Sequence, residues 1–180
     1  MITPVVIVFD EGRDRLLQVA GHIVGHLIYF SFRGAMVSFN NVGQLGICAE
    51  AVGTAQAALE MSLDYGRRRP VRGESMLQLL TIQSYIGEMA SRIEVARWLT
   101  YRAAAVKDEG KSIRKEVAMA KLVASQTAVD VTSMAMQIHG SYGYTKDFQI
   151  ERLYRDAKIT QIYEVVSEIQ RIIVASSLIA

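Results

Sequence analysis

Residues 161–171, QIYEVVSEIQR, set one acid, Glu164, between an aromatic side chain and two β-branched valines. A carboxylate among apolar neighbours costs several kcal/mol to keep charged without a partner. Desolvation in such a setting raises its pKa toward the range useful for taking a weakly acidic proton, which makes Glu164 a candidate general base. Two plainer readings compete: a surface acid, or a first-turn acid facing the positive end of the next helix. Spacing alone does not separate the three.

Other residues invite chemistry less strongly. His22 and His26 stand one helical turn apart, a metal-compatible spacing, but no third ligand recurs at matching spacing and no metal site is expected. No Glu-x-x-His occurs, which argues against a di-iron bundle. The basic run RRRPVR at 67–72 could attract phosphate. Its composition reads more simply as a helix C-terminus, where positive charge complements the dipole. In QIHGSYGY, Gly140 and Gly143 offer bare backbone that a phosphate could approach, though a glycine loop between helices is more often only a turn.

These residues must be positioned by helices. The chain has 180 residues, 51% hydrophobic and 21% charged, with only two prolines. That profile fits one domain with a sizeable core and long uninterrupted helices. A net charge of +2 argues against a dedicated nucleic-acid binder. The single cysteine, Cys48, excludes an internal disulfide and suits a reducing compartment. The apolar stretch 19–32 is too short to span a bilayer and carries two histidines, and no secretory or transit signal is visible, so the expected location is cytoplasmic.

Residues 1–34 form an uncertain N-terminal segment, with TPVVIVFD a possible strand. From residue 35 to 180 the period is helical. A first helix is expected over 35–65, with Gly43, Gly46 and Gly53 suggesting a closely packed neighbour. GRRRPVRGES breaks the chain. A second helix, 76–107, carries a seam from Leu79 through Met89 and Ala96 to Ala103. A third, 113–139, repeats it from Val117 through Ala124 and Val131 to Ile138. A short helix follows around Ile150 and Ala157. The last begins near Ser167, whose spacing to Gln170 fits a capping box, and presents Ile169, Ile172, Ile173 and Ile179 on one side. The expected fold is all-α: an up-and-down four-helix bundle with short additional C-terminal helices.

The ordered segments AMAKLVAS, QIHGSYGYTKDFQIERLYRDAKITQIYE and SEIQRIIVA resemble the C-terminal helical domain of the flavin-dependent acyl-CoA dehydrogenases. The likeness continues through ALEMSLDYGRRR and TIQSYIGEMASRIEVARWLTYRAA, covering about residues 43–180 in one register. It implies FAD as cofactor, an acyl-CoA substrate, and dimers or tetramers that share the flavin site, or assembly with a fuller paralogue. It implies that Glu164 is the proton-abstracting base and that Tyr163 and Val165 meet the substrate. It also implies that Arg69 reaches the pyrophosphate of the neighbouring subunit's FAD and that Gln137, Gly140 and Ser141 cradle the ADP half, with the turn Val166, Ser167 and Glu168 on the cofactor. The matching motifs differ in places: Val71 and Arg72 replace Gln-Phe, Leu80 replaces a flavin-facing glutamine, and Val165–Val166 replace Gly-Thr. The domains that usually precede this bundle are not evident, so the expected activity is that of a fragment or subunit. The competing expectation is a catalytically silent oligomerisation module or pseudoenzyme partner.

Overall fold

The computed structural model describes residues 33–179, with side chains from Asn41 onward. The possible strand at TPVVIVFD and the His22–His26 pair lie outside the described residues. Helix α1, Arg33–Arg68, is alanine-rich and free of proline. Arg67 and Arg68 fill its last turn, where cations complement the dipole. Pro70, which cannot continue a helix, follows two residues later.

What the sequence marked only as a break is a small antiparallel hairpin, β1 (Pro70–Val71) against β2 (Glu74–Ser75). Its two-residue loop puts both Arg72 (φ +53°) and Gly73 (φ +88°) in the left-handed region, as a type I′ hairpin turn demands. Ser75 Oγ then accepts from the Leu77 N–H and starts a 3₁₀ turn, Met76–Gln78. Leu79 is extended, so helix α2 runs Leu80–Asp108 and begins later than its hydrophobic seam suggests. Helix α3 covers Arg114–His139, a 3₁₀ segment Gly140–Tyr144, helix α4 Ile150–Ile159 and helix α5 Ser167–Ile179.

Helix α3 is the hub, packing against each of the other helices. The two seams close as expected: Ile82, Met89, Ile93 and Ala96 of α2 are buried, and so are Val117, Ala124, Val131 and Ile138 of α3. At one end the core is built from bulky side chains such as Leu59, Met89, Ile93 and Ile138. At the other it is mostly alanine, including Ala51, Ala96, Ala120 and Ala157. Small side chains let helix axes approach to the short end of the usual 8–10 Å spacing.

Two local expectations fail for identifiable reasons. Among the described residues a Cβ at Gly46 or Gly53 would meet nothing within 4 Å, so neither glycine marks a close helix crossing. The capping box does not form: the Ser167 hydroxyl donates back to the Gln161 carbonyl, and Gln170 turns inward to donate to Gln44 Oε1 at 2.8 Å. Helix α5 therefore docks through Gln170, which is fully buried, while Ile169, Ile172 and Ile179 stay exposed. Among the described residues, no helix is long and apolar enough to cross a membrane.

Candidate functional site

The connection between α4 and α5 turns sharply at Glu164. The Val165 N–H bonds back to the Tyr163 carbonyl at 2.8 Å, closing a three-residue turn with Glu164 at its centre and φ at +58°. For a residue with a β-carbon this left-handed geometry is uncommon and costs about 1 kcal/mol or more. Strain of this kind persists only where surrounding contacts impose it.

Lys121 of α3 brackets this turn. Only 1% of this residue is exposed, and its ammonium donates to the carbonyls on either side of Glu164, Tyr163 O at 2.8 Å and Val165 O at 2.6 Å. Burial holds the Lys121 pKa below the usual lysine range, while the nearby Cys48 and Glu164 pull it back up. Gln170 adds a longer bond to Val165 O, 3.4 Å.

The Glu164 side chain lies against helix α1 at Gly43. A β-carbon at residue 43 would stand 2.8 and 2.9 Å from the two carboxylate oxygens, closer than such contacts allow. Glu164 as a whole residue is exposed to solvent in this chain. Desolvation against α1 nevertheless lifts its pKa above the usual carboxylate range, and the Lys121 ammonium opposes the rise. Tyr163 is half-buried, its hydroxyl donating to Glu50 Oε2 at 2.5 Å. Burial and that bond to Glu50 both push its phenol pKa up, so it stays neutral. Burial likewise lifts Glu50 and drives the Cys48 thiol up to about 12, which leaves it protonated and unreactive.

Val165 and Ser167 are half-buried beside the base, while Val166 (37% exposed) and Glu168 face outward. The six consecutive residues 163–168 thus gather at one place.

The remaining predicted residues gather elsewhere. Arg69, just past the end of α1, carries its guanidinium over the Tyr142 ring at 5.4 Å. Gly140 closes α3 at φ +62°, ψ −142°, a region open almost only to glycine. Gln137 and Ser141 are exposed beside it. An aromatic stack supports this end: the His139 ring lies 4.3 Å from that of Tyr65, and Phe148 meets both edge-on. The His139 Nδ1 bonds the Ala135 carbonyl at 2.7 Å, and burial keeps its pKa low. The Gly140 N–H is spent on the Gln137 carbonyl, and among the described residues no carboxylate pairs with Arg69, which leaves its guanidinium beside the exposed Gln137 and Ser141 side chains, polar groups that fit the pyrophosphate of FAD. The Leu80 side chain is nearby in sequence and 80% exposed.

The two groups do not meet within one chain. From Gly43, under Glu164, to Arg68 is 25 residues of one continuous helix. At 1.5 Å per residue that is roughly 38 Å, longer than an extended flavin dinucleotide.

Sequence reasoning missed Lys121, Glu50 and the inward role of Gln170. Lys121 carried one available signal: a cation one position beyond the seam residue Ala120, inside the otherwise apolar AMAKLVAS.

Residues 32–179 match the family model described as "Acyl-CoA dehydrogenase, C-terminal domain". The short-chain specific acyl-CoA dehydrogenase of Bos taurus mitochondria is 47% identical over 176 residues, covering 96% of this chain and 40% of that protein. The solved butyryl-CoA dehydrogenase of Megasphaera elsdenii is 40% identical with a TM-score of 0.77, covering 78% of this chain and 37% of the other. A solved chain described as electron transferring flavoprotein of Acidaminococcus fermentans is 42% identical with a TM-score of 0.76, covering 77% and 37%. The chain therefore spans about two fifths of the length of the relatives it matches.

Proposed function

The chain belongs to the acyl-CoA dehydrogenase family as its C-terminal helical domain, and from that premise we propose that it serves FAD-dependent α,β-dehydrogenation of an acyl-CoA thioester, as a fragment or subunit working with further domains. The observation that carries this reading is Glu164: a carboxylate of raised pKa, seated on Gly43 at the centre of a strained turn. An ionised Glu164 takes the α-proton of the acyl group onto a carboxylate oxygen. Its own backbone N–H donates to the thioester carbonyl, stabilising the charge that develops there. When bound, FAD supplies the acceptor for the β-hydride. Val165 and Tyr163 border the acyl group, and Val166, Ser167 and Glu168 border the cofactor. At the far end Arg69, Gln137, Gly140 and Ser141 hold a pyrophosphate and adenosine half. Because the two ends lie a helix length apart, that half belongs to the cofactor of a neighbouring copy, in a homodimer, a tetramer or a pairing with a fuller paralogue. The proposed location is the cytoplasm, supported by the buried, unbridged Cys48.

The reading is tested by purifying the chain and recording its visible absorbance, then adding acyl-CoA. A yellow protein that bleaches on adding substrate supports it. Glu164→Gln is expected to abolish bleaching while leaving flavin uptake intact, and bleaching that persists would remove Glu164 from the role of base.

A second reading has its own support. Val165 and Val166 place bulk where the resembling motif has Gly-Thr, and Leu80 presents an apolar side chain to solvent. These departures favour a silent module that oligomerises with an active partner. A colourless chain that takes up no added FAD but co-purifies with such a partner would establish it.

A further inference from the structure

We propose that Lys121 is the positioning residue that aims the backbone N–H groups of Glu164 and Val166 out of the bundle. The proposal rests on the reading of Glu164 given above only for what those N–H groups bind, not for how they are set. A trans peptide carries its N–H opposite its C=O, and no cis peptide occurs among the described residues. Lys121 draws the Tyr163 and Val165 carbonyls inward toward α3 with bonds of 2.8 and 2.6 Å. The N–H that shares a peptide plane with each, on Glu164 and on Val166, must then point outward. Among the described residues neither N–H meets an acceptor, whereas the intervening Val165 N–H is used internally on Tyr163 O. The arrangement alternates: N–H out at 164, in at 165, out at 166.

A buried lysine suits this task because one ammonium has three donors and can satisfy two carbonyls that converge on it. Two carbonyls directed at one point repel, and a cation between them removes the conflict. The same bonds hold Glu164 at φ +58°, which an unclamped chain would leave. The ammonium bonds the carbonyls and not a carboxylate: among the described residues no ion pair links Lys121 to Glu164, although the two charges feel each other. Lys121 therefore holds the turn through its two backbone carbonyls, while its charge also opposes the rise in the Glu164 pKa.

The test compares Lys121→Met, which keeps length and loses the donor, with Lys121→Arg, which keeps the cation. Chains are labelled with ¹⁵N at Glu and Val and followed by NMR, with far-UV circular dichroism as the check on folding. Loss of the clamp should move the Glu164 and Val166 amide signals in Lys121→Met and speed exchange of the Val165 amide roughly tenfold, the loss expected for about one hydrogen bond. Lys121→Arg should stay near the wild type. Unchanged amides in a folded Lys121→Met chain overturn the proposal. If that variant does not fold, the wild type decides: ¹³C carbonyl signals of Tyr163 and Val165 must move together with the Lys121 Nζ titration, and independent movement overturns it. A saturated acyl-CoA and its carbonyl-free thioether analogue serve as binding probes. Lys121→Met should weaken the thioester about tenfold and the thioether not at all, and equal weakening of both reduces Lys121 to a structural role. A wild-type chain that binds neither probe would sink the functional reading, while the amide comparison would still decide the clamp.

Discussion

Glu164 is fixed from two sides, by Lys121 through the backbone and by Gly43 through the carboxyl group, and each side makes a prediction. A methyl group at residue 43 would occupy the space of the carboxylate oxygens. Gly43→Ala should displace the base by a fraction of an ångström to an ångström and lower turnover up to about a hundredfold, with flavin uptake unchanged, as measured by substrate bleaching against absorbance of the bound cofactor. The raised pKa has a sign in stability as well. The folded chain holds the Glu164 proton more tightly than the unfolded chain, whose carboxyl titrates near 4.5. The contribution is thus fully present below that value and is lost as pH rises through the folded pKa. Urea unfolding at a series of pH values should find Glu164→Gln flatter over this window and more stable than the wild type above it. Proton abstraction runs the other way, because it needs the ionised form, so its acid limb should lie above the ordinary carboxylate range.

Among the elements, Gly140 makes the plainest demand. Its φ and ψ are nearly closed to side chains, so Gly140→Ala should cost about 1–3 kcal/mol, read as a lowered melting temperature by circular dichroism. If the pyrophosphate half docks there, FAD affinity falls with it. The helices themselves were legible, since the seams on α2 and α3 bury most of the residues their spacing marks, with Leu79 at the start of the first left exposed. Helix α5 was not, because a polar side chain decides its orientation. Gln170 is drawn inward by Gln44, which lies 126 residues away, and this turns the isoleucine face out. Distance in sequence also hid Lys121, whose carbonyl partners lie 42 and 44 residues onward. Glu164 could be proposed from its neighbours, but its left-handed backbone could not, since turns of that kind are normally signalled by glycine or asparagine.

Across the whole molecule, the outer face of α2 exposes Val95, Trp98 and Tyr101, and α5 exposes its isoleucines. Exposed apolar side chains grouped in this way suit the assembly proposed above, in which another chain would cover them. Trp98 is the only tryptophan and is 64% exposed, so assembly through α2 should shift its fluorescence to the blue as concentration rises, in step with mass by sedimentation. Fluorescence that stays red in a sedimenting oligomer would move the contact elsewhere. The separation of about 38 Å between the base and the arginine has a further consequence in genetics. Each working centre would draw one end from each of two copies, so damage at opposite ends can be shared out. A strain carrying one allele with Arg69→Ala and another with Glu164→Gln should recover function that neither allele supports alone, because some mixed assemblies regain an undamaged centre. Two alleles injured at the same end should never rescue one another.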